Sequence, residues 1–217
     1  MPIRSVYLYF GVAVLVVALG LGLRTFVFGD QPLAPASKQV DRGATGTASI
    51  GGAFTLVDHN GNTVSEKDFA GRHMLVFFGY TNCPDICPLT LNTLTEVLDK
   101  MGKDADKIRP VFVSVDPRRD TPKVIKEYLT SFHKSFIGLT GTAGQVTAAK
   151  RTFRIYSQIA KDPNAGADSA YKKRGADEYL VDHSSVSYLM GPDGVFKTFV
   201  RHSASADAML AKLKKHL

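Results

Sequence analysis

Phe78-Gly79-Tyr80-Thr81-Asn82-Cys83-Pro84-Asp85-Ile86-Cys87-Pro88-Leu89-Thr90 holds both cysteines of the chain, and its reading decides the fold because a strand ends and a helix begins within it. Upstream, Met74-Leu75-Val76-Phe77-Phe78 is a continuous apolar run with the length and composition of a strand buried on both faces. Downstream, Leu91, Leu94, Val97, Leu98 and Met101 recur at helical spacing. Pro88 suits the first position of that helix, where a missing N–H removes no hydrogen bond, so Cys87 is expected near the N-cap and Cys83 in the preceding loop. A helix N-terminus favours negative charge, and at least one of the two thiols is expected to titrate below the ~8.5 of free cysteine. Thiolates attack disulfides and bind soft metals. The separation of four residues lets one metal ion or one disulfide join the two sulfurs. A purely structural cross-link explains the pair poorly, because closing so short a loop removes little entropy from the unfolded chain.

A chain of 217 residues accommodates one domain of ordinary size plus extensions, with a core that needs no staples. The net charge of +7 and pI near 9.4 invite a nucleic-acid reading. The basic residues are scattered, however, with small clusters only at Lys172-Lys173-Arg174 and toward the C-terminus, and no aromatic-interleaved basic motif accompanies them. Nucleic acid is therefore not an expected partner. The charge reads as solubility, or as contact with an anionic membrane or an acidic partner surface.

Residues 5–23 form an uncharged, mostly apolar run of 19 residues between Arg4 and Arg24, roughly 28 Å long as a helix, about one bilayer core. No small-x-small cleavage pattern follows it, so residues 1–28 are expected to be an uncleaved transmembrane anchor rather than a signal peptide. Residues 29–52, rich in Gly, Pro, Ala, Ser and Thr, read as a linker, and residues 53–217 as the folded domain. Ala53-Phe54-Thr55-Leu56-Val57 and the turn 58–62 predict a hairpin whose His59 is simply solvated. A second buried strand is expected over 108–115. Thr121-Pro122 then predicts an N-cap with proline at the first helical position. A short strand at 136–139 and a helix over 142–153 follow. Residues 160–177 read as a polar insertion or loose hairpin. Val186-Ser187-Tyr188-Leu189-Met190 and residues 195–200, separated by Gly191-Pro192-Asp193-Gly194, predict an antiparallel hairpin before a closing amphipathic helix carrying Met209, Leu210, Leu213 and Leu217. Parallel βαβ, then a hairpin and a terminal helix, with cysteines opening the first helix, is the order of a thioredoxin-like α/β fold.

Tyr80-Thr81-Asn82-Cys83-Pro84-Asp85-Ile86-Cys87-Pro88, Asp116-Pro117-x-Arg119-Asp120-Thr121-Pro122 and Val181-Asp182-His183-Ser184 together strongly resemble the Sco/SenC family of membrane-anchored, thioredoxin-like copper proteins involved in cytochrome c oxidase assembly. The resemblance covers roughly residues 52–217. It implies that Cys83, Cys87 and His183 bind copper, as Cu(I) or Cu(II). The chemistry agrees: two thiolates suit Cu(I), and an added imidazole nitrogen lets a site hold Cu(II) as well. His73, His133, His202 and His216 have no comparable support. Asp85 is expected to cap the helix, and Arg118 and Arg119 to line the rim of the site or to lie in a solvated loop.

Two functions follow from the resemblance. The first is a copper chaperone that takes copper from an upstream donor and loads the dicopper site of cytochrome c oxidase subunit II. The second is a thiol-disulfide reductase, with Cys83 and Cys87 catalytic, that keeps the receiving cysteines reduced. A redox-sensing or peroxiredoxin-like role needs no histidine ligand, so His183 separates the first reading from the others. Either leading function places the domain outside the cytoplasm, in the bacterial periplasm on an inner-membrane anchor, or alternatively in the mitochondrial intermembrane space.

Overall fold

The computed structural model of the chain describes residues 49–160 and 179–217. The expected anchor, residues 29–48 of the linker and residues 161–177 of the polar excursion lie outside the described residues. Among the described residues no helix is long and apolar enough to cross a membrane.

The sheet grows outward from the apolar run next to the cysteines. That run is β3 (His73–Gly79), followed by α1 (Ile86–Met101) and then by β4 (Ile108–Ser114), which lies parallel to β3. β5 (Ile137–Thr140) adds a third parallel strand beyond β4. On the other side of β3, β8 (Val186–Met190) pairs antiparallel, and β9 (Phe196–Arg201) pairs antiparallel with β8. The expected N-terminal hairpin, β1 (Thr55–Asp58) and β2 (Thr63–Ser65), joins through β1 to β5 and completes a seven-stranded sheet ordered β2-β1-β5-β4-β3-β8-β9. The four strands β4-β3-β8-β9 with α1 before β4 and α4 (Ala206–Lys214) after β9 form a thioredoxin-like core. β6 (Ser157–Ile159) and β7 (Val181–His183) flank the excursion and pair with each other in a separate two-stranded ribbon. The ribbon is absent from the sequence-based expectation, because neither three-residue strand carries an apolar period.

β3 and β4 are buried on both faces because the two faces meet different helices. Phe77 and Phe112 meet at 5.7 Å with tilted rings, and Phe112 meets Tyr128 of α2 (Pro122–Leu129) at 5.8 Å, on the face that also receives α1. Phe78 meets Phe153, at the end of α3 (Ala143–Thr152), at 5.4 Å on the opposite face. Such runs must be continuously apolar, since no side of the strand meets water. Helix starts follow their capping residues. Thr121 accepts a hydrogen bond from Val124 N–H, with Pro122 just inside, and Thr142 and Gln145 form a reciprocal capping box.

Two expectations are corrected here. α1 begins at Ile86, so Pro88 is its third residue and Cys87 its second; proline is tolerated anywhere in the first turn, because those N–H groups have no intrahelical partner. His59 is not merely solvated. Its Nδ1 accepts the Gly138 N–H at 2.8 Å and its own N–H donates to the Gly138 carbonyl at 2.8 Å, clamping the hairpin turn to β5.

Candidate metal centre

The site lies where β3 ends. The loop 80–85 carries Cys83, the first turn of α1 carries Cys87, and the last residue of β7 is His183. Among the described residues these three form the one group able to hold a metal ion, with their ligand atoms all within 4.8 Å of one another. Cys87 is fully buried and Cys83 is 9 % exposed, and both are free thiols. Gly79 makes room for the deeper sulfur.

The two sulfurs are held in different states. Cys83 is pulled below the usual thiol range, chiefly by a hydrogen bond from Cys87 and against the opposing effect of burial, with further help from the backbone N–H groups of Asp85 and Cys87. Asp85 is the N-cap by position, but its side chain makes no capping hydrogen bond. The expected carboxylate cap is therefore not made. Backbone donors at the helix start turn to the Cys83 sulfur instead, which is how a helix N-terminus stabilises a thiolate. Cys87 is pushed up, first by its hydrogen bond to Cys83 and then by burial, and keeps its proton. His183 Nδ1 lies 3.1 Å from the Ser184 carbonyl, which can only accept, so Nδ1 carries the hydrogen. Nε2 then presents its lone pair to Cys87 Sγ, 3.3 Å away. One proton thus sits among two sulfurs and a nitrogen, and Cys83, Cys87 and His183 would offer a soft cation two sulfur ligands and one nitrogen ligand, with that proton released on binding.

The supporting contacts come from residues within the quoted motifs to which sequence reading gave either no role or one of two. Asp120, fully buried, accepts from Thr81 N–H, Thr81 Oγ1 and Ser114 Oγ, pinning the start of the cysteine loop; burial pushes its carboxyl upward against those hydrogen bonds. Tyr80 is 2 % exposed, and burial raises its phenol to about 12. Arg119 is no solvated loop residue. It is paired with Asp116 and lies over the Tyr179 ring, 3.7 Å from its centroid. Arg118 is exposed and lines a cleft beside Tyr179. His73, His133, His202 and His216 do not join the three-ligand group; His202 is buried edge-on to Phe77 at 4.8 Å.

Similarity to known proteins agrees with this geometry. The SCO1/SenC family profile matches residues 42–217. The mitochondrial protein SCO2 of Saccharomyces cerevisiae is 34 % identical over 221 residues, covering 100 % of this chain and 70 % of that protein. Curated relatives of this kind are longer, and the chain spans 49 % to 74 % of their length. The structure of Bradyrhizobium japonicum ScoI with copper bound is 39 % identical and superposes with a TM-score of 0.66, covering 77 % of this chain and 99 % of that one. BsSco, a member of the Sco family of cytochrome c oxidase assembly proteins, is 25 % identical with a TM-score of 0.57, over 78 % of this chain and 95 % of that one. With four fifths of its length matched by one family profile, and its fold shared with a copper-bound member, the chain belongs to the SCO1/SenC family.

Proposed function

We propose that the chain is a copper chaperone that holds copper through Cys83, Cys87 and His183 and delivers it to the dicopper site of cytochrome c oxidase subunit II. The convergence of two sulfurs and one imidazole nitrogen within 4.8 Å carries this reading. The donor set fits both copper states: soft sulfurs hold Cu(I) at low coordination, and the nitrogen adds what Cu(II) prefers. The copper-bound ScoI structure supports it from the side of a relative. An upstream donor supplies the ion. Residues 1–28 act as a membrane anchor and 29–52 as its linker, with the domain from residue 53 onward facing the periplasm of a bacterium; the mitochondrial intermembrane space is the alternative.

The unequal thiols favour a second reading. A low-pKa Cys83, the less deeply buried of the two, beside a fully buried, protonated Cys87 is the arrangement of an attacking and a resolving cysteine, so the same pair could reduce the receiving cysteines of subunit II.

His183→Ala in the full-length chain separates the two. Under the chaperone reading, Cu(II) binding weakens strongly while Cu(I) binding and thiol-disulfide exchange with an oxidised subunit II domain are largely retained. Unchanged binding of both copper states would remove His183 from the centre and leave the reductase as the better account.

A further inference from the structure

The ligands of the centre come from two places 96 residues apart in the chain, and the part that carries His183 is not in the main sheet. β6 and β7 pair through three residues each. A two-stranded ribbon of that size has little stability of its own, so something else fixes where the imidazole stands.

Tyr80 is the residue placed to do so. Its hydroxyl oxygen accepts the Val181 N–H at 3.1 Å, two residues before His183 and in the same strand. Its ring stands edge-on to the His183 imidazole, with centroids 5.9 Å apart and planes at 89°. Arg119 secures the approach to that strand. Its guanidinium carbon lies 5.6 Å from the Tyr80 centroid and 3.7 Å from the Tyr179 centroid, and Nη1 donates to the Tyr179 carbonyl at 2.8 Å. Tyr179 closes the arrangement by donating its hydroxyl to Asp116 Oδ1 at 2.6 Å, while Arg119 pairs with the other oxygen of that carboxylate.

Resting on the Cys–Cys–His reading above, we infer that Tyr80 and Arg119 are positioning residues of the metal centre: the Tyr80 hydroxyl ties the strand of His183 to the loop of Cys83, and Arg119 holds the entry to that strand. Because the sulfurs alone satisfy Cu(I) and the nitrogen matters most to Cu(II), these contacts set the ratio of the two affinities. A residue that merely fills the core would instead lower both affinities together with the stability of the fold.

The test compares wild type, Tyr80→Phe, Arg119→Lys and His183→Ala in the full-length chain. Each is measured for Cu(I) affinity, Cu(II) affinity, the sulfur-to-Cu(II) charge-transfer absorption and the Tm of the metal-free protein. Tyr80→Phe keeps the ring and removes the tie. Loss of a contact that orients a ligand typically weakens metal binding by roughly ten- to a hundredfold, and that loss is expected for Cu(II), with a much smaller change for Cu(I) and a charge-transfer band displaced toward that of His183→Ala. Arg119→Lys keeps the charge but loses the flat fork, and should move the ratio and the band in the same direction by less; it also stands in should Tyr80→Phe fail to fold. An unchanged affinity ratio and band in these two variants, or an equal loss of both copper states with a lowered Tm, overturns the positioning role while the His183→Ala change still upholds the ligand set. A His183→Ala spectrum identical to wild type overturns the ligand set itself, and the positioning role with it.

Discussion

A carbon added at Gly79 would lie 3.0 Å from Cys87 Sγ, 2.8 Å from the end of the Phe77 ring and 3.0 Å from the Phe112 ring, so the deeper sulfur occupies space that a side chain would otherwise take. Gly79→Ala is expected to cost about 1–3 kcal/mol by overpacking and to displace the sulfur toward His183. Denaturant unfolding of the metal-free chain, read beside the Cu(II) charge-transfer band, checks both effects; wild-type stability with an unmoved band would show that the site yields without cost. At this scale the grouping of Cys83, Cys87 and His183 is legible in the sequence, because such side chains are few and their motifs are distinctive; that they bind copper is the proposal made above. Tyr80 and Arg119 stand in the same motifs, yet their work is not legible there. It consists of contacts to Val181 and Tyr179, 101 and 60 residues away, and sequence spacing says nothing about which backbone N–H or ring a buried side chain will meet.

Among the elements, those with a strong local signal fall where periodicity and caps put them: β3, β4 and the β8–β9 hairpin by their apolar runs, and α2 by Thr121-Pro122. The start of α1 moves two residues earlier than expected, because proline marks a first turn without saying which of its positions it takes. β6 and β7 escape notice because a three-residue strand has no period to read. The anchor we propose for residues 1–28 is also an element with a direct check. Fractionation followed by N-terminal sequencing should recover the full-length chain from the membrane, whereas a soluble protein starting near Asp30 would show that the segment is cleaved.

For the molecule as a whole, the buried histidine beneath the centre links acidity to stability. His202 is 4 % exposed, and burial first, then the nearby His183, lower its pKa from 6.5 to about 4. The folded state therefore holds it neutral while the unfolded state takes up a proton below pH 6.5, so its contribution is complete above that value and is lost as pH falls toward 4. The slope from this one group approaches ~1.4 kcal/mol per pH unit. Denaturant unfolding of the metal-free chain at pH 7, 6 and 5 should show that fall, and His202→Gln should flatten it; equal slopes in the two proteins would assign the pH dependence elsewhere. The β6–β7 ribbon has a different consequence. The carrier we propose must let go as well as hold, and His183 rides on a strand outside the seven-stranded sheet. Local opening of a few paired residues costs far less than global unfolding. Withdrawing the imidazole thus means loosening the ribbon and releasing the Tyr80 hydroxyl while the sheet stays intact, which leaves an ion on two sulfurs with one side open to an incoming ligand.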